Sequence, residues 1–288
     1  MKLFLGGVRG GSPIADPAYA RYGGDTSSFL IEGEAGERLI IDAGTGLRLV
    51  YDRLKAQDSA LRSVLMLFSH FHLDHVSGLP AFPPLYDEEW TVELAARVFD
   101  DLSVEDIAYS FVHPPIWPLP LSEMKAGKIF RILDVESMEQ AGEFGGLRIR
   151  WCPVHHPGGS TAFRIEEPAT GGALVIATDI EWAESSDEEK MLFERLCGMP
   201  EGADLLVFDG KCAPDDYEAY RGWGHSTWLE GIEIAQRCGV KQLLVTHHDT
   251  DMDDDACDRR DAQIRESWVE ARLAKQGEVV NVKRSSPT

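Results

Sequence analysis

Short apolar runs recur along the chain, each ending in a polar or glycine-containing step. They are Leu39-Ile40-Ile41 before Asp42, Val64 to Phe68 before His70, Leu174-Val175-Ile176 before Asp179, Leu205 to Phe208 before Asp209, and Leu243-Leu244-Val245 before His247. Their length and β-branched content predict buried strands feeding loops. Polar side chains thus collect at strand ends, where α/β sheets deliver residues to a shared rim. Thr227 to Arg237 reads as a helix: Thr227 and Glu230 have capping-box spacing, and Leu229, Ile232 and Ala235 can line one face. Leu79 to Leu121 holds Pro80, Pro83, Pro84, Pro114, Pro115, Pro118 and Pro120 around a middle, Val92 to Val104, that reads as helical. This predicts an insertion over the strand layer, serving as a lid or an oligomer contact. Val279 to Val282 reads as a last strand, and the run Asp249 to Asp255 as a solvated acidic stretch.

Composition narrows the class. With 288 residues, 43% hydrophobic and 27% charged, the chain can bury a large core, and one elaborated domain over 1–288 is expected. Met1-Lys2-Leu3-Phe4-Leu5 is too short for a signal-peptide apolar region, and no run reaches the roughly 18 apolar residues of a membrane helix. The expectation is a cytoplasmic protein without membrane contact. Five cysteines lack C-x-x-C spacing, which argues against a disulfide framework and a thiolate zinc site. A net charge of −21 speaks against long nucleic acid, which proteins normally hold with Lys and Arg. A small anion can still enter, because bound cations reverse a local field.

The sharpest chemical signal is Ser69-His70-Phe71-His72-Leu73-Asp74-His75, three imidazoles and a carboxylate directly after a strand. If the backbone stays extended, His70 and His72 point to one side, and a turn at Asp74 and His75 aims two more donors at a neighbouring point. Nitrogen with carboxylate oxygen suits zinc, and also manganese, iron or nickel. Other strand ends offer His156 in His-Pro-Gly-Gly-Ser, Asp179, and His247 in Thr-His-His-Asp.

With the Asp42-Ala43-Gly44 turn upstream and the three later residues in this order, the chain resembles the metallo-β-lactamase superfamily, whose fold is an αββα sandwich. The resemblance spans nearly the whole chain. It implies that His70, His72 and His156 bind one metal, that Asp74, His75 and His247 bind a second, and that Asp179 bridges them. Asp42 and Asp209 would stand behind these ligands and steady them. His155 and His248 adjoin two of the residues. His156 is preferred because it opens the His-Pro-Gly turn, and His247 because it follows Thr246. A further element, Trp223-Gly224-His225-Ser226-Thr227, is similar to the Gly-His-Ser-Thr element of ribonuclease Z and of cyclic-nucleotide and phosphoribosyl cyclic phosphodiesterases, whose histidine contacts the scissile phosphate. A helix N-terminus offers free N–H groups to an anion, and an imidazole beside it can protonate a leaving oxygen. Ser226 and Thr227 would then touch substrate. Arg9, in Gly7-Val8-Arg9-Gly10, would do so too, unless it pairs with a carboxylate. The extra Gly11 and Asp25 depart from the family's glycine-rich segments.

The expected function is therefore a phosphodiesterase with two divalent cations, in which a water between them attacks phosphorus, Asp74 orients and His225 protonates the leaving group. The expected partner is a small phosphodiester, such as a cyclic nucleotide or phosphoribosyl cyclic phosphate, with no extended nucleic acid. A homodimer is implied by resemblance alone. The alternatives are acyl hydrolysis of a lactone, thioester or β-lactam, an RNA-processing nuclease of the ribonuclease Z type, and a metal-retaining protein that only binds a nucleotide.

Overall fold

In the computed structural model, residues 1–56, 61–134 and 142–283 are described. The first half of the chain supplies β1 (Lys2–Gly7), β2 (Ser28–Glu32), β3 (Arg38–Ile41), α1 (Leu47–Ala56), β4 (Ser63–Leu67), α2 (Leu73–Val76), β5 (Thr91–Ala96), α3 (Val104–Phe111) and β6 (Gly127–Ile132). The second half supplies β7 (Gly142–Phe144), β8 (Leu147–Val154), β9 (Ser160–Glu167), β10 (Gly172–Ala177), α4 (Asp187–Gly198), β11 (Leu205–Asp209), α5 (Tyr217–Tyr220), α6 (Trp228–Arg237), β12 (Leu243–Thr246), α7 (Asp254–Ser267), β13 (Ala271–Leu273) and β14 (Val279–Asn281). One sheet runs β14-β1-β2-β3-β4-β5-β6 and the other β13-β12-β11-β10-β9-β8-β7.

Side-chain parity explains why the two sheets stack. Leu39 and Ile41 of β3 face the core between the sheets, with Leu65, Leu67, Ile176 and Val207. Ile40 points the other way, to Met66, Val50 and Leu54 under α1. On the second sheet Val175, Leu206 and Phe208 face Phe193 of α4 and Ile232 of α6. Strands covered on both faces lose the apolar/polar alternation and read as unbroken apolar runs, and the layers are those of an αββα sandwich. All six expected strands are present, as is the helix after Thr227, whose capping box closes in both directions. The five cysteines are free, and four are buried. Among the described residues no helix is long and apolar enough to cross a membrane.

Two local readings differ. Val92 to Val104 is not a helix: it opens with β5, which pairs in parallel with β4 and β6, and the helix starts only at Val104, capped by Ser103. Val92-Glu93-Leu94-Ala95-Ala96 is rich in helix formers, but burial between neighbours overrides that propensity. The acidic run is also not simply solvated. Asp253 caps α7, and the buried Asp254 carboxylate accepts the N–H groups of Arg21 and Tyr22 (2.8 and 3.1 Å).

The parallel strands β3 and β4 in one sheet, and β10, β11 and β12 in the other, finish at the same edge of the sandwich. Their next residues carry the chemistry.

Candidate metal centre

Phe68 still donates its N–H to Ala95 O (3.0 Å), so the chain leaves β4 extended, and His72 keeps extended angles before α2 begins. His70 and His72 stand side by side, ring centroids 4.4 Å apart. The first turn of α2 then brings in Asp74 and His75, the latter 4.3 Å from His70 by ring centroids. From the second sheet come His156 after β8, Asp179 after β10 and His247 after β12. His156 Nε2 lies 3.1 Å from His72 Nδ1, and His247 Nε2 lies 3.3 Å from Asp74 Oδ2. Asp179 sits between the groups. Its Oδ1 is 3.1 Å from His75 Nε2, and its Oδ2 is 3.3, 3.7 and 3.8 Å from Nε2 of His247, His156 and His70. Donor atoms of His70, His72 and His156 lie within 4.8 Å of one another, and so do those of Asp74, His75 and His247.

These residues fit a metal pair. His70 Nε2, His75 Nε2, Asp179 Oδ1 and both ring nitrogens of His247 are buried without a hydrogen-bond partner. Buried polar atoms normally find one, and the Nε2 atoms of His70, His75 and His247 all approach the Asp179 carboxylate, so a cation there would supply the partner they lack. The surroundings aim the rings. Asp42, in the left-handed region (φ 60°), accepts from Ser69 N–H and Ser69 Oγ (2.8 Å each) and meets His75 Nδ1 at 2.9 Å. Gly224 O accepts from His156 Nδ1 (2.8 Å), which turns Nε2 toward the cluster. Gly11 N–H donates to Asp74 Oδ2 (2.7 Å). His247 is also left-handed (φ 63°) and lies against Gly10, where a Cβ would come within 2.1 Å of its ring.

The electrostatics reflect the crowding. Burial, then the neighbouring His75, pushes His70 well below the usual imidazole range, and burial takes His156 down to about 4. Burial alone would raise Asp179, but His247, His75 and His70 outweigh it and hold the carboxyl far below its usual range. Asp179 is therefore held as an anion, the state in which a carboxylate binds a cation.

At the rim, His225 stacks on His247 (ring centroids 4.6 Å), and its Nδ1 meets Asp209 Oδ2 at 2.8 Å. Burial raises Asp209 and lowers His225 to about 4. Burial thus disfavours charge on either member of the pair.

Of the two histidine doublets, His156 and His247 enter the cluster. His155 faces Glu189 (3.9 Å), and His248 Nε2 donates to Ala274 O (2.8 Å). The expected substrate contacts are corrected. Arg9 is fully buried and donates to Gly23 O, Asp249 O and Met252 O, binding carbonyls rather than substrate or a carboxylate. Ser226 Oγ donates to Ile180 O and accepts from Trp182 N–H, and Thr227 Oγ1 is spent on the α6 cap. The Asp25 carboxylate accepts from Thr45 Oγ1 and Gln276 Nε2, tying together segments distant in the chain. Glu181 escaped the sequence reading. Fully buried, it accepts from Tyr217 Oη, Gly222 N–H and Gly224 N–H (2.8, 2.6 and 2.8 Å), and so fixes the loop carrying Gly224 and His225. Its only sequence signal is a carboxylate two residues after Asp179.

Residues 37–248 match the family described as the beta-lactamase superfamily domain. The chain belongs to this superfamily. Within it, ribonuclease Z of Ignicoccus hospitalis is 25% identical over 277 residues, spanning 82% of this chain and 85% of its own. Ribonuclease Z of Methanopyrus kandleri is 26% identical over 265 residues, spanning 87% and 89%. Human tRNase Z, short form, superposes with a TM-score of 0.70 at 18% identity over 98% of this chain and 99% of its own. The chain is thus a metal-dependent hydrolase of this superfamily, and ribonucleases Z are among the proteins it resembles. These relatives overturn one expectation, a small phosphodiester partner with extended nucleic acid excluded, because they are named for RNA. Net charge sums the whole surface, whereas a substrate meets the local field of a rim that cations dominate.

Proposed function

We propose that this chain hydrolyses a phosphodiester bond of RNA with two divalent cations. His70, His72 and His156 would hold one and Asp74, His75 and His247 the other, with Asp179 between them; the mixed imidazole and carboxylate set favours zinc. Such a pair supplies a water acidic enough to ionise near neutral pH and positive charge beside the phosphoryl oxygens. The chain's own part is orientation and proton delivery. Asp42, Gly224 and Gly11 hold His75, His156 and Asp74 in place. When the P–O bond to the leaving group breaks, that oxygen takes the Nε2 proton of His225, while the proton shared with Asp209 keeps the ring oriented.

The observation that carries this reading is the His225–Asp209 pair, stacked on His247 at the cluster's rim. Acyl hydrolysis leaves that pair without a role. The test gives the zinc-loaded protein a structured RNA, bis-p-nitrophenyl phosphate, nitrocefin and a homoserine lactone. Phosphodiester cleavage is expected, with His225→Ala lowering kcat by roughly 10²- to 10⁴-fold while zinc measured by mass spectrometry stays at the parent's level. Turnover of the acyl substrates alone would overturn it.

A further inference from the structure

Beside the cluster runs a groove of about 140 Å³ that shares His70 and His72 with it. Its walls are apolar: Phe71, Phe99, Leu102, Ile107 and Pro157 line it, and Asp100 is its one carboxylate. Phe71 and Phe99 meet edge to face, with ring centroids 5.6 Å apart and planes at 88°. The groove is built rather than incidental. Phe99 and Leu102 are clasped by two backbone hydrogen bonds, Phe99 N–H to Leu102 O (3.1 Å) and Leu102 N–H to Phe99 O (2.8 Å). The two residues between them, Asp100 and Asp101, are both left-handed (φ 49° and 63°). Left-handed angles at both central residues are those of a tight two-residue hairpin turn, which fixes Phe99 opposite Leu102. The Arg97 guanidinium lies over the Phe99 ring at 5.5 Å and donates to Ser160 O (3.3 Å), bracing the ring from behind. On the facing loop Gly159 has φ 86°, and a Cβ there would stand 3.2 Å from Phe99, so the glycine lets that loop close on the aromatic wall.

We propose that this groove seats the nucleobase next to the scissile phosphate, which makes Phe99 and Phe71 determinants of substrate affinity. The proposal rests on the phosphodiesterase reading and names which part of the substrate lies where. Phosphate belongs among the donors of the cluster, and the lining of the neighbouring groove holds no lysine or arginine to favour a second phosphate. The flanking group it suits is planar and uncharged with a π face. In RNA that group is the base, and stacking on aromatic rings accepts any of the four.

The experiment has a binding arm and a turnover arm. Isothermal titration of the zinc-loaded protein compares adenosine 5′-monophosphate with ribose 5-phosphate. The nucleotide should bind about tenfold tighter, the factor that about 1.4 kcal/mol of base stacking provides. Phe99→Ala should abolish that difference while ribose 5-phosphate binding persists. Phe99→Leu, which keeps apolar bulk, should remove most of it and guards against a variant that fails to fold. In the turnover arm, an oligoribonucleotide abasic beside the cleaved bond should show a raised KM with the parent protein and no further rise with Phe99→Ala. Equal affinity of the two probes for the parent, or equal loss of both in the variants, overturns the groove assignment even where RNA is cleaved. If the parent cleaves neither RNA nor bis-p-nitrophenyl phosphate, the phosphodiesterase reading falls, and the titration still decides whether the groove takes a base.

Discussion

Asp42 and His247 hold left-handed backbone angles that side chains rarely adopt, and each touches the metal cluster. The strain is retained because it aims a donor: at Asp42 it places one carboxylate on both Ser69 and His75. Asp42→Asn keeps the shape and tolerates the left-handed angle but loses the negative charge that orients His75. Zinc affinity, measured by competition with a chromophoric chelator, should fall by roughly 10- to 100-fold, the usual effect of removing a partner that orients a ligand. An affinity equal to the parent's would mean that His75 needs no such support. Glu181 belongs to the same scale. A single buried carboxylate with three donors organises a loop that no local sequence pattern marks.

The elements explain why the rim is so well ordered. α6 starts three residues after His225, its N-terminus closed by Thr227 and Glu230, and its buried face presses on β11, which ends at Asp209. Gly231 makes that approach possible, since a Cβ there would stand 2.7 Å from the Phe208 ring. Helix propensity alone would favour Gly231→Ala by about 1 kcal/mol, whereas overpacking costs about 1 to 3 kcal/mol. The clash should win, lowering the urea midpoint by a net loss of up to about 2 kcal/mol; a stabilised variant would show that the ring moves aside cheaply. β5 teaches the complementary lesson. Its leucine, glutamate and alanines favour a helix in isolation, and it is a strand because β4 and β6 flank it.

At the scale of the whole molecule, the cluster sits on the seam between two sheets. His70, His72, Asp74 and His75 come from the first, and His156, Asp179 and His247 from the second. Cations bound there would tie the halves together, and without them orphaned nitrogens and an anionic Asp179 stay buried. Chelation should therefore lower Tm, and zinc at about 100 times its Kd should restore about 2.7 kcal/mol. A Tm indifferent to chelator and zinc would show that the seam holds no cation.

The sequence by itself determined the strands that lead into the cluster, because burial on both faces leaves unbroken apolar runs, and the helix after Thr227, because its cap is local. It also determined the dense donor segment from His70 to His75, where extended backbone and one turn suffice to aim four side chains. The His-Pro-Gly turn and Thr246 favoured His156 and His247 over His155 and His248, and the tertiary structure brings those two to the cluster, since adjacent residues point apart and strand register selects between them. Only the tertiary structure decided that Arg9 and Ser226 serve the scaffold, that Glu181 organises the loop before His225, and that Phe71 meets Phe99. Those contacts join residues far apart in the chain, and packing, which local pattern does not encode, brings them together.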